Sequence, residues 1–298
     1  MVSKQMQNLT KLLLNKRSEE IEKRVENSRK SIEELSNLVK VAKNVKIEHI
    51  KVDNVPAAWI STPESKNQYV ILYLHGGGYM EGSIKTHQEL VSRISRVSKA
   101  RALILDFRLA PENIFPAALE DAITGYHWLI KNEKINPKNI IIAGDSSGGG
   151  LAIATLLKLR DSGSPLPAAA VCISPWTDLV VTGESIKRNA KKDLMLSYYD
   201  LYFYAFLYLG DEDPKNPLVS PLYADLKGLP PILIQVGDAE VLLDDSIRFA
   251  DRARKAGIDV TLDIWKDMIH VFQSGASLIP EGQEAVDKIG TFTKKFFI

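Results

Sequence analysis

A single cysteine, Cys172, stands in a chain of 298 residues, so no internal disulfide can form and the composition suits a reducing compartment. Thiolate metal sites are excluded with it. The five histidines, His49, His75, His87, His127 and His270, show neither H-x-x-x-H nor H-E-x-x-H spacing, so no metal is implied. Charge of one sign is also scarce: a formal net charge of +1 offers little to a nucleic-acid backbone. Long apolar runs are lacking near the N-terminus, where the longest is Leu12-Leu13-Leu14, too short for a signal h-region or a membrane span. A cytoplasmic protein without nucleic-acid or membrane partners is the expectation. Phosphate loops are missing too: there is no G-x-x-x-x-G-K-[ST], and no G-x-G-x-x-G follows a strand with an acidic residue about 20 positions on. No cofactor is expected.

What is present describes one large domain. With 45% hydrophobic and 25% charged residues the chain can bury a full core. Strand-like runs near 70, 102, 140, 169, 232 and 261 alternate with helix-like stretches near 86–98, 116–131, 148–161, 244–256 and 281–296. Such alternation predicts parallel strands joined by crossover helices. Val45 to Ile60 reads as two short strands around Asp53-Asn54, an antiparallel hairpin at the sheet edge. The total is an α/β fold with eight mostly parallel strands. Two segments stand outside the alternation. Residues 1–43 carry apolar positions at helical spacing (Leu9, Leu12, Leu13; Ile21, Val25; Ile32, Leu35, Leu38, Val39) and read as two amphipathic helices. Residues 183–217 contain the run Leu201 to Leu209, apolar on every side. Both are expected to pack together as a helical cap, leaving 44–182 and 218–298 as the main domain.

Gly144-Asp145-Ser146-Ser147-Gly148-Gly149 lies between the β-branched run Asn139–Ala143 and the helix formers Leu151–Arg160. Strand, sharp turn, helix is the setting of a G-x-S-x-G elbow, which pushes a strained serine out above a sheet. A turn that merely caps a helix is the bland alternative. A second motif favours chemistry: the apolar run Tyr69–Leu74 ends in His75-Gly76-Gly77-Gly78-Tyr79. Three glycines in a row pack nothing and leave backbone free to approach a ligand. Ser146 is therefore the candidate nucleophile. Backbone N–H groups of Gly77, Gly78 and Ser147 are the candidate oxyanion donors, Gly76 is a hinge, and His75 braces the loop.

These motifs resemble those of the hormone-sensitive-lipase-like family of α/β-hydrolases. Asp106-Phe107-Arg108-Leu109-Ala110-Pro111-Glu112 is similar to the family's D-Y-R-L-A-P-E segment with Phe for Tyr, and Phe115–Asp121 is similar to the family's next stretch of chain. The match runs from about residue 70 to the C-terminus, with Ser147 where the family often has Ala. The resemblance implies an α/β-hydrolase fold with a helical cap, and partners in the chain order Ser, acid, His. His270 is the only histidine after Ser146. For the acid, Gly237-Asp238-Ala239-Glu240-Val241-Leu242 stands where the family shows G-x-x-D-P-L, which puts Glu240 at the triad place; Asp238 is the rival. Asp244 and Asp245 read as the acidic start of the next helix. Asp145 and Arg108 read as structural.

The reaction this implies is hydrolysis of short- to medium-chain acyl esters by Ser146, His270 and Glu240 through an acyl-enzyme. Lactones and amides remain open, because the same groups cleave them. A non-catalytic receptor is the reading from another class; plant gibberellin receptors resemble this family but lack the triad histidine, which this chain keeps. Tyr79, Trp176, Tyr198, Tyr202, Phe203 and Phe206 are the candidate pocket residues. The expected partner is a small-molecule ester, and the resemblance admits a homodimer, since family members often dimerise.

Overall fold

Aliphatic runs such as Val70–Leu74, Ile140–Ala143 and Ile232–Val236 are buried at every position, which is why they lack the alternation of a half-exposed strand. They form the middle of an eight-stranded sheet. The computed structural model describes residues 4–297, and in its first helix it describes the side chains of Met6, Lys16 and residues from 18 onward. The strands are β1 (Lys46–Val52), β2 (Val55–Ser61), β3 (Lys66–Leu74), β4 (Ala100–Leu105), β5 (Ile140–Asp145), β6 (Ala169–Ile173), β7 (Ile232–Gly237) and β8 (Val260–Trp265). Their order is β1-β2-β4-β3-β5-β6-β7-β8, antiparallel through β1, β2 and β4 and parallel from there on. Val52 pairs with Val55 across Asp53-Asn54, so the hairpin expected at the edge is there, with Asp53 at φ 50°.

The helices are α1 (Lys4–Ser36), α2 (Ile84–Ser98), α3 (Ala117–Lys131), α4 (Ser147–Asp161), α5 (Ser185–Arg188), α6 (Tyr198–Leu209), α7 (Leu243–Lys255) and α8 (Pro280–Thr293). Period-2 side chains split the sheet into two faces. Val70, Leu72, Leu74, Ile140 and Ile142 share one core with α3, α4 and α7; Ile71, Tyr73, Ile141 and Val171 share the other with α2 and α8. All five expected helices, the four crossovers α2, α3, α4 and α7 and the final α8, fall within a few residues of the expected ranges. The ends of β5, β6, β7 and β8 therefore open on one edge, where the fold gathers its loops.

Residues 1–43 differ from expectation. One helix of 33 residues replaces two, because no proline or glycine interrupts Lys4–Ser36. Leu38 and Val39 fall in the turns after it rather than on its face. Ile21 and Val25 pack on the main core, while the side chains of Leu9, Leu12 and Leu13 lie outside the described ones. Among the described residues, no helix is long and apolar enough to cross a membrane.

Candidate active site

Ser146 sits between β5 and α4 at φ 53° and ψ −123°, a strained conformation for a residue with a side chain. Neighbouring backbone holds it there. Its N–H donates to Ile173 O at 2.8 Å, and its carbonyl accepts from Trp176 N at 2.9 Å. The turn can close only because Gly148 has no side chain: a Cβ would lie 2.1 Å from Leu74 O and 2.4 Å from His75 O. The elbow is thus pressed directly against the start of the histidine-glycine loop.

The loop after β8 brings His270 to this serine. Its Nε2 lies 2.9 Å from Ser146 Oγ, and its Nδ1 lies 2.8 Å from Glu240 Oε2. Glu240 is fully buried, and its other oxygen accepts from Gly237 N at 2.6 Å and from Ser174 Oγ at 2.7 Å. That arrangement fixes the carboxylate and leaves Oε2 for the imidazole alone. Burial acts to lower the His270 pKa, but the Glu240 hydrogen bond and charge outweigh it, and the net shift is upward. Asp238 does not reach the ring; it accepts from Asp267 N at 2.7 Å and caps a turn. Ser174 had no motif to mark it. Its only signal is position, a polar residue directly after β6 at the same sheet edge.

On the other side of Ser146, Gly77 and Gly78 take φ 116° and 59°, values that favour glycine. Their N–H groups, and that of Ser147 at the start of α4, donate to nothing within the described chain. Gly77 O accepts from Met80 N and Glu81 N, both at 3.0 Å, which closes a tight turn. His75 Nδ1 lies 2.8 Å from Gly76 O, and burial pushes its pKa down to about 3, so the ring is neutral and braces the loop. Asp145 holds the same loop, accepting from Gly76 N at 3.1 Å and Tyr73 OH at 2.8 Å, with His87 Nε2 at 3.3 Å. Arg108 pairs with Asp121 and Glu120, away from the serine. Asp244 and Asp245 do begin α7, yet they also reach outward: Asp244 accepts from Ser185 N, and buried Asp245 accepts from Thr177 N and Asp178 N, which pins the Trp176 loop.

A cavity of about 350 Å³ opens over Ser146 and His270, within the range of small-ligand sites. Ile32, Leu35 and Val39 from the N-terminal segment form one wall, and Met195, Leu196, Leu201 and Tyr204 form another. Of the six pocket residues expected from sequence, Trp176 alone lines it. Tyr79 is buried beneath, stacked on Tyr208 at 3.7 Å. Phe203 packs under the Arg24 guanidinium. Tyr202 and Phe206 face solvent, 61% and 53% exposed, and Tyr198 lines a separate surface groove with Tyr199, Lys187 and Arg188. The reason is that the run Leu201–Leu209 within this helix is apolar all round, so its sequence does not reveal which side faces inward. Tyr204, Leu201 and His87 are among the pocket residues that sequence reasoning missed. Among the described residues, no group of acidic, cysteine or histidine side chains is arranged to hold a metal.

A family model of the alpha/beta hydrolase fold matches residues 71–274. An esterase from the bacterial hormone-sensitive lipase family superposes with a TM-score of 0.90 at 45% identity, covering 92% of each chain. This chain belongs to that hormone-sensitive-lipase-like family of α/β-hydrolases. The crystal structure of EstE5 soaked with p-nitrophenyl butyrate has a TM-score of 0.89 at 44% identity over 92% of this chain and 91% of that one. Among curated relatives, an acetyl-hydrolase of Streptomyces hygroscopicus is 43% identical over 82% of this chain and 81% of its own, and an esterase of Acinetobacter venetianus is 36% identical over 88% and 86%. This α/β-hydrolase is a carboxylic ester hydrolase.

Proposed function

We propose that this ester hydrolase is a serine carboxylesterase for short- to medium-chain acyl esters, working through Ser146, His270 and Glu240 and an acyl-enzyme. The unbroken hydrogen-bonded line from Ser146 Oγ through the imidazole to Glu240 carries the reading. A serine hydroxyl is a poor nucleophile at neutral pH, and this line supplies a base and the carboxylate that sets its tautomer. With Nδ1–H donated to Glu240, Nε2 is left to accept the Ser146 proton as Oγ attacks the ester carbonyl. The carbonyl oxygen then becomes an oxyanion beside the N–H groups of Gly77, Gly78 and Ser147, which need no rearrangement to receive it. His270 returns the proton to the leaving alcohol. Water, deprotonated by the same imidazole, attacks the acyl-enzyme and releases the acid.

Residues 1–43 and 183–217 serve as the cap, since both contribute walls to the cavity while 44–182 and 218–298 supply the reacting groups. The apolar walls suit an acyl chain of modest length, and the p-nitrophenyl butyrate soak of EstE5 makes that ester a sensible probe. Ser146→Ala should reduce p-nitrophenyl butyrate turnover by about 10⁴-fold or more. Turnover at the parent rate would refute the serine mechanism. A lactone and an amide of the same acyl length belong in the same assay, because the leaving group decides among bonds that these groups can all attack.

A further inference from the structure

We propose that the N-terminal helix is a working part of the oxyanion hole: Arg29 and Ser28 are positioning residues that hold the glycine turn in the orientation that aims Gly78 N–H at the reacting oxygen. This rests on the serine mechanism above and adds to it a role for a segment that otherwise only walls the cavity.

The coupling runs through one peptide plane. The carbonyl of Gly77 and the N–H of Gly78 belong to the same planar unit and point opposite ways. Fixing the carbonyl therefore fixes the N–H. Met80 N and Glu81 N do this, each donating to Gly77 O at 3.0 Å. Those two residues are in turn gripped from α1. Arg29 Nε donates to Met80 O at 2.7 Å, and its Nη2 donates to Ala110 O at 2.9 Å. Ser28 Oγ donates to the buried Glu81 carboxylate at 2.5 Å. Tyr79 O accepts from Ala110 N at 2.9 Å, so this bond and the guanidinium together tie residues 79 and 80 to the segment at Ala110.

The opposite side of the turn is closed by α6. A Cβ on Gly78 would lie 2.4 Å from the Tyr204 ring, so the glycine is packed flat against that side chain. Arg24 joins the two jaws, pairing with Asp200 at 3.3 Å and covering the Phe203 ring at 3.8 Å. Arg29 also makes a forked pair with Glu112 at 2.8 Å, but Glu112 is more than half exposed, and such pairs contribute little. The contacts that matter to the turn are the two carbonyls.

The test uses the full chain, p-nitrophenyl butyrate, and a trifluoromethyl ketone of the same acyl length. Ser146 Oγ adds to that ketone's carbonyl carbon, its proton passes to His270, and the ketone oxygen becomes an anion in the hole, so in variants that keep Ser146, His270 and KM unchanged a shift in its inhibition constant reports on the donors. Arg29→Met and Ser28→Ala should each lower kcat about tenfold and raise the inhibition constant by the same factor, with KM within about twofold. Glu112→Gln, which removes the surface pair and keeps both carbonyl bonds, should leave kcat and the inhibition constant within about twofold of the parent. An unchanged inhibition constant in folded Ser28→Ala and Arg29→Met, or a Glu112→Gln effect equal to that of Arg29→Met, would overturn the proposal. If Arg29→Met does not fold, Ser28→Ala decides alone. A parent enzyme indifferent to the trifluoromethyl ketone, or an active Ser146→Ala, would instead fault the serine mechanism itself.

Discussion

The two sides of Ser146 are built differently. On the relay side, His270 follows β8, Glu240 follows β7 and Ser174 follows β6, so three neighbouring strands set the spacing of the groups proposed to move the proton. On the oxyanion side, Gly77 and Gly78 lie in a turn that the sheet holds only at its start; its far end is held by α1 and α6. A sheet buried on both faces has little freedom to shift. A turn clamped by two helices outside the sheet has more. The hydrogen-bonded line is a property of the core fold, whereas the proposed oxyanion donors lie in a turn held by segments outside it.

The largest effect should come from breaking the relay at its buried end. Glu240→Gln keeps an oxygen for Gly237 N and Ser174 Oγ but turns an amide N–H₂ toward His270 Nδ1. Two donors then face each other, the ring moves its proton to Nε2, and Ser146 loses its base. Expected is a fall in kcat of about 10⁴-fold. Asp238→Asn keeps an oxygen to accept from Asp267 N and removes only a charge that does not reach the ring, so it should stay within about threefold. Steady-state rates of the pair check both statements, and a larger loss in Asp238→Asn would reverse the assignment of the acid.

The other side is broken by Gly78→Ala. The added Cβ meets the Tyr204 ring and asks an L residue to hold φ 59°. Loss of one oxyanion donor typically costs about 10²-fold in kcat, and that is the expected outcome, with KM little changed. An intermediate effect sharpens the comparison: because the net pKa of His270 lies above the ordinary histidine value, kcat/KM should fall already as pH drops below that raised value. In the proposed mechanism the neutral ring is the active form, so activity should be retained above the pKa and lost below it. In Glu240→Gln the burial that lowers the pKa remains while the carboxylate that raises it is gone, so the acid limb of the residual activity should move to lower pH than in the parent. A limb that does not move between the two proteins would show that Glu240 does not set it. Gly78→Ala should leave the limb where it is.

The same division governs what the amino-acid order reveals. Elbow and relay are legible because each lies at a strand end: an apolar run, then a small or polar residue, as in Ile140–Asp145 before Ser146 and Ile232–Gly237 before Glu240. Chain order then leaves one histidine. Arg29 and Ser28 are not legible in this way, because they sit among charged residues on a solvent-rich helix and their partners are backbone carbonyls and a carboxylate more than 50 positions away. His87 escapes for a similar reason. It looks like any polar residue near a helix start, and only the fold sets it against Asp145.

The smallest effect tests the face of α6 that sequence could not assign. Leu201 is 1% exposed and lines the cavity beside Tyr204, while Tyr202 and Phe206 project outward from the same helix. Tyr202→Ser and Phe206→Ser should change stability by about 0.5 kcal/mol or less and leave kcat/KM for p-nitrophenyl butyrate within about twofold. Leu201→Ala leaves a void at the cavity wall and should cost about 2–5 kcal/mol of stability. Denaturant titration separates the two classes. Loss of activity in the outward variants with an intact fold would mean that the outer face of α6 touches substrate, and that the cavity over Ser146 extends past the wall drawn by Leu201 and Tyr204.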